Sequence, residues 1–347
     1  MTARYMPWEV EGDEVKRREF GVMLGTAIAL PALDSAPKPS RLGIAEANRL
    51  AANVEDFARR EQTVGGAALV QTAVDELEWA KAALETCAFD EQAGTAFMRA
   101  AGELATIAGW LAFDAEMHLL ARRCYADGFA LANQAGDDGL TVHICLNAAH
   151  QAITLSRTGR GNPYRALGLI GRAQDLSRGR PPSRIHALMA IREAQAYGVL
   201  GDRARFGRAV ATAWRELDFA LEHESPDECP RWLRFVTTTE IRSHEARGVG
   251  DLGDLEKAAT LSAGLALEQA GARNAANYRA GWAAALANVG DIEAATAQGV
   301  SVLTDLEREI SSTRTLKLLA PVCDAVEGYS DEFRQRFDVL ARKVITA

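Results

Sequence analysis

The stretch "AGWLAFDAEMHLLARRCYADGFALANQAGDDGLTVHICLNAAHQAITLSR", residues 108–157, decides the fold class. Apolar side chains recur in it at helical spacing, as in Leu119, Ala121, Cys124, Tyr125, Phe129 and Leu131, and nothing in it alternates as a strand would. "AGDDG" at 135–139 interrupts the periodicity once, as a turn does. The reading is a pair of helices joined by a short turn.

The same pattern extends outward in both directions. Glycine turns are expected at Gly66, Gly109, Gly159, Gly201, Gly250 and Gly290, spaced by 43, 50, 42, 49 and 40 residues. A second set alternates with them: 135–139, "GRPPS" at 179–183, "ESPDECP" at 224–230, "AGAR" at 270–273 and "SST" at 311–313. Turns about every 20 residues describe stacked helical hairpins. Seven residues before the later glycines stand Gly102, Ala152, Ala194, Ser243 and Ala283, all small, where two helices would cross closely. Gly-Asp recurs at 201–202, 250–251 and 290–291, with Gly suited to a left-handed C-cap and Asp to the next N-cap. The expected fold is all-α: a right-handed superhelix of degenerate tetratricopeptide-like hairpins over 37–347, closed by a capping helix near 331–345.

Composition narrows the function classes. Of 347 residues, 48% are hydrophobic and 25% charged, as in an ordinary globular chain. The net charge of −8 argues against direct nucleic-acid binding. Charge is nonetheless uneven. Residues 157–215 hold twelve arginines and three carboxylates, whereas 216–256 hold eleven carboxylates and four arginines. Such alternation fits an interaction surface or an anion pocket, and equally solvated helix faces. Outside 21–33 no apolar run approaches bilayer length. The five cysteines are scattered and read as reduced, buried thiols. No metal or cofactor site is expected. "GVGDLG" at 248–253 matches a dinucleotide-binding fingerprint by letter, but helix precedes it rather than strand, so it reads as a hairpin turn.

Residues 108–157 closely resemble the tetratricopeptide-like C-terminal domain of actinobacterial transcriptional regulators that carry a helix-turn-helix domain of the xenobiotic-response-element type. The resemblance is carried by Gly109–Trp110, Asp114, Ala121 with Tyr125, and His150–Gln151–Ala152, and it runs over most of the chain. It implies a regulatory, non-catalytic role in which the helical domain senses a ligand or partner, and it implies a homodimer. Only the acidic segment 1–15 precedes the junction, too little for a helix-turn-helix, so the DNA-binding domain is expected outside this chain or not at all.

"KRREFGVMLGTAIALPALDSA", residues 16–36, allows two readings. A twin arginine before an apolar run suggests an exported helical-repeat protein. Against export, Glu9, Glu11, Asp13 and Glu14 outweigh Arg4, and Asp34 stands three residues before Ala36 where a small residue is wanted. Phe20, Met23, Leu24, Ala27 and Ile28 instead form a helical stripe ended near Pro31. The expectation is a junction helix in a cytoplasmic protein.

Counting back from the turn glycines selects side chains expected on the concave surface: Arg99 and Glu103, Gln195, Thr237, Glu240, His244 and Arg247, and Asn277. His143, Asn147, His150 and Gln151 form a polar stripe on one further helix face, which reads either as an internal hydrogen-bonded network or as ligand-facing. A groove lined this way suits an extended peptide or protein segment, or an anionic small molecule held by Arg247. Most tryptophans read as plugs between hairpins, with Trp232, between Arg231 and Arg234, as the candidate for partner contact.

Overall fold

The turns show why the chain folds as it does. Gly136, Gly159, Gly201 and Gly290 all adopt positive φ at helix ends, and Asp137, Asn162 and Asp202 accept backbone N–H bonds at the starts of the helices that follow. The computed structural model describes residues 40–225, 227–265, 272–308, 310–327 and 329–346. The acidic segment and the junction helix of 16–36 lie outside the described residues.

Fifteen α-helices and a short 3-10 turn (Arg231–Leu233) make up the described chain, with no strand among the described residues. In chain order they are α1 (Ile44–Val64), α2 (Val70–Thr86), α3 (Glu91–Asp114), α4 (His118–Gln134) and α5 (Asp138–Arg157). Then come α6 (Pro163–Leu176), α7 (Arg184–Val199), α8 (Arg203–His223), α9 (Thr238–Asp251) and α10 (Leu255–Leu265). The last are α11 (Ala272–Asn288), α12 (Ile292–Arg308), α13 (Thr313–Leu318), α14 (Ala320–Ala325) and α15 (Asp331–Thr346). Among these helices none is long and apolar enough to cross a membrane.

Neighbours in sequence pack as pairs, and the pairs form two layers. Helices α1, α3, α5, α7, α9 and α11 touch one another in succession, while α2, α4, α6, α8 and α10 pack outside them. The inner layer also returns on itself, because α11 touches α1 and α13 touches α3. Backbone bonds stitch the junction: Ser311 N donates to Val64 O at 2.6 Å and Ala67 N to Ser311 O at 3.2 Å. Gly65, at φ 81°, is required there, since a Cβ would stand 2.5 Å from the Ser311 carbonyl oxygen.

Three of the larger cores follow the chain. One joins α1 to α5 around Phe97, Leu104, Leu111 and Phe113. The second joins α5 to α10 around Leu146, Ile191, Phe206 and Leu217. The third joins α11 to α15, where Phe333 and Phe337 of the last helix fill the space beneath α12.

Two turn expectations are corrected. Gly109 is not a turn residue but lies inside α3, where the Tyr125 ring of α4 occupies the place a side chain would take. The turn after α3 comes at Glu116, which carries the positive φ of 63° that a glycine would ordinarily supply. Gly250 likewise belongs to the last turn of α9, and Gly253 at φ 85° makes the turn. Asp251 is therefore not the next cap; Asp254 takes that place, accepting from Lys257 N at 3.4 Å.

Candidate ligand site on the inner helices

The inner helices bring polar residues from distant parts of the chain into one buried cluster. At one end, Asp114, at the C-terminus of α3, is fully buried. Its Oδ1 accepts from Arg273 Nη2 (2.6 Å), Arg314 Nε (3.1 Å) and Ser312 Oγ (3.1 Å), and its Oδ2 from Gly66 N (3.0 Å). Burial pushes the carboxyl up, but Arg273 and Arg314 with the Gly66 amide outweigh it and hold Asp114 well below the usual carboxylate range. Glu61 of α1 joins the same group, binding Arg273 Nη2 at 3.2 Å and the Trp110 indole N–H at 3.0 Å. Both arginines lie over the Trp110 ring at about 5.5 Å.

Next to it runs a directed chain of hydrogen bonds. Arg192 Nη1 donates to Gln195 Oε1 at 3.0 Å, Gln195 Nε2 meets His244 Nδ1, and His244 Nε2 lies 2.7 Å from Glu240 Oε1. Tyr278 donates its hydroxyl to Glu240 Oε2 at 3.0 Å. The Gln195 and Glu240 links call for a neutral His244 protonated on Nε2, and Arg192 Nη1, 3.0 Å from that nitrogen, then meets it donor to donor. Burial lowers the His244 pKa to about 4, with Glu240 opposing and Arg192 and Arg247 adding to the drop, in keeping with that neutral form. Burial raises Glu240, but His244, Arg192 and the tyrosine hydroxyl outweigh it and bring it down to about 2.

Between these groups lies His150 of α5, 3% exposed, with its ring against Trp110, Phe113 and His244. Its Nδ1 is buried without a hydrogen-bond partner. Burial, then Arg192, His244, Arg314 and Arg157, hold this imidazole well below its ordinary pKa. Arg157, one helix end away, binds Asp251 through three contacts of 2.8–3.1 Å and leaves its Nη1 buried and unpartnered.

The residues singled out from the sequence divide into three groups. His150, Gln195, Glu240, His244, Arg247 and Asn277 belong to the inner cluster; Asn277 accepts from Arg314 Nη1 at 3.4 Å. Gln195, Glu240 and His244 are engaged with one another or with Arg192 and Tyr278, which matches the internal-network reading of such residues rather than an open groove wall. Glu103 and Asn147 lie on α3 and α5 farther along, with Glu103 bound to His143 Nδ1 at 2.9 Å. Arg99 and Thr237 are exposed; Arg99 pairs with Asp137 at 3.1 Å and Thr237 caps α9. Gln151 turns away from the cluster to donate to His118 O at 2.9 Å. Trp232 is stacked flat on His143, ring centroids 3.7 Å apart, so its face is occupied within the chain.

Sequence reasoning did not single out Arg157, Arg192, Arg273 or Arg314 for the cluster. Arg192 carried a legible signal, a cation directly after the apolar run "ALMAI" of α7. Arg314 and Arg273 sit beside turns and enter only because the inner layer closes on itself. Among the described residues no three His, Cys, Asp or Glu side chains are placed to hold a metal ion. The chemistry the cluster offers is therefore that of fixed guanidinium and imidazole donors. No protein-family model matches the chain, and a search of curated proteins likewise finds no match.

Proposed function

We propose that the chain is a non-catalytic sensing module of transcriptional regulation, built as an array of degenerate tetratricopeptide-like hairpins capped by α15. It takes an effector on its inner helices and passes occupancy to a DNA-binding partner chain or domain, acting in the cytoplasm. One observation carries this reading: Arg247, half-buried on the inner face of α9, has no hydrogen-bond or ion-pair partner among the described residues, although its neighbours Glu240 and His244 on the same helix are paired. Burying an uncompensated charge costs stability, and a fold tolerates that where a ligand completes the site. A small molecule fits better than an extended peptide, because Gln195 and His244 already spend their hydrogen bonds on each other, Arg192 Nη1 and Glu240.

A thermal-shift screen with neutral, cationic and anionic metabolites tests the reading, paired with native mass spectrometry of protein taken from its own cells. At least one compound is expected to raise the melting temperature saturably. A screen without any such compound, together with a spectrum showing only the bare chain, would overturn the sensing role.

A further inference from the structure

In the inner cluster Arg157 Nη1, Arg192 Nε, Arg273 Nε and His150 Nδ1 are buried without a hydrogen-bond partner. Half-buried Arg247 likewise has no hydrogen-bond or ion-pair partner among the described residues. The carboxylates that could neutralise them are taken: Asp251 by Arg157, Glu240 by His244 and Tyr278, Asp114 by Arg273 and Arg314. Helical register brings the free donors together. His150 and Arg157 stand seven residues apart on one face of α5, Arg247 and Asp251 four apart on one face of α9, and the Arg157–Asp251 pair locks those faces against each other. A region of excess positive charge thus sits inside the fold, and Arg192, Arg314 and Arg157 all bear electrostatically on His150.

We propose that Arg247, Arg157 and His150 form a binding site for the oxyanion group, carboxylate or phosphate, of a small ligand. The inference rests on the sensing role above and names the chemistry of its effector. Guanidinium groups bind planar carboxylate or phosphate oxygens through charge-assisted, often bidentate bonds, and a neutral imidazole adds one N–H. Burial and Arg157 together, against Asp251, already press the Arg247 pKa down to about 9, so an arriving anion relieves a repulsion the empty site carries.

The test uses the full chain at pH 7.5 and constant ionic strength, with sodium phosphate and sodium succinate each replacing sodium chloride in a thermal-shift titration. Wild type is expected to gain stability saturably with at least one of the two, roughly 5 °C at a hundredfold excess over Kd. Stabilisation by phosphate alone assigns a phosphorylated ligand, and by succinate alone a carboxylic acid. Arg247→Gln is expected to weaken that response at least tenfold while melting no lower than wild type in chloride. The control Arg99→Gln, at an exposed position, leaves the response unchanged. No response to either anion overturns the proposal, as does a full response in Arg247→Gln. A Gln variant that melts below wild type in chloride does so too, by making Arg247 a structural residue. A neutral metabolite that stabilises wild type and Arg247→Gln alike would sink this assignment and leave the sensing role standing.

Discussion

Asp114 shows how much of this fold hangs on one side chain. It is buried completely and answers two arginines, a serine and a backbone amide from three separate parts of the chain. Removing one partner of such a cluster leaves the others charged and dry, so Asp114→Asn is expected to cost about 3–5 kcal/mol in urea unfolding. Two buried histidines add a dependence on acidity. The folded pKa values of His150 and His244 are both depressed, to about 4 for His244, so below about pH 6.5 the unfolded chain takes up protons that the folded one refuses. Their stabilisation is complete above pH 6.5 and falls as pH drops toward 4. Glu240 and Glu116, both lowered to about 2, extend the loss below pH 4.5. Melting temperature is expected to fall from pH 7.5 to 5, and His244→Asn to flatten part of that slope. A melting temperature constant over this range would show that neither histidine is held neutral.

At the scale of helices, α3 is the element whose surface decides its neighbours. Gly102 and Gly109 stand seven residues apart, one against Leu140 and the other under the Tyr125 ring. Gly109→Ala gains about 1 kcal/mol of helix propensity. It also drives a methyl group into a ring that is itself only 2% exposed. Overpacking of this kind costs about 1–3 kcal/mol, so the variant is expected to be less stable, and Tyr125→Leu to restore part of the loss. Tyr125→Phe is a separate check. The hydroxyl is buried without a partner, and its removal should leave stability unchanged or raise it by up to about 1 kcal/mol in the same denaturant assay. Much of the helical pairing was legible in the sequence, because Gly at helix ends and Asp, Asn or Pro at helix starts act locally. The end of α3 was not. There Glu116 takes the left-handed conformation, held by His118 Nε2 two residues on at 3.1 Å and by Lys317 Nζ at 2.6 Å, and only the tertiary fold supplies the lysine. Counting back from turns reached Gln195, His244, Arg247 and Asn277 on inner helices, but it could not tell a spent hydrogen-bond donor from a free one. That distinction depends on residues up to 200 positions away, such as Arg314 on Asp114.

Over the whole molecule, the return of α11 and α13 onto α1 and α3 joins the two ends of the described array. An open stack of repeats unfolds in pieces, since each unit touches only its neighbours. Here the Gly65–Ser311 stitch and the Asp114 cluster tie the ends together. Unfolding is expected to be a single transition, with tryptophan fluorescence and circular dichroism midpoints coinciding. Gly65→Val, by parting Val64 from Ser311, should separate the two midpoints. Effector binding in such a ring cannot act by freely winding or unwinding a superhelix. On the proposed sensing role, an effector would have to act by changing the tension across a closed loop of helices.

That closure also fixes the number of hairpins. In an open array a helix pair can be inserted or lost and the remaining units still stack. In this chain Val64 and Ser311, with Glu61, Asp114, Arg273 and Arg314, meet only if the intervening pairs sum to one fixed turn. Gain or loss of a single pair would leave the meeting surfaces facing past each other, with a buried carboxylate stranded on one side and two arginines on the other. Deleting one hairpin from this chain is therefore expected to break the closure rather than merely shorten the stack.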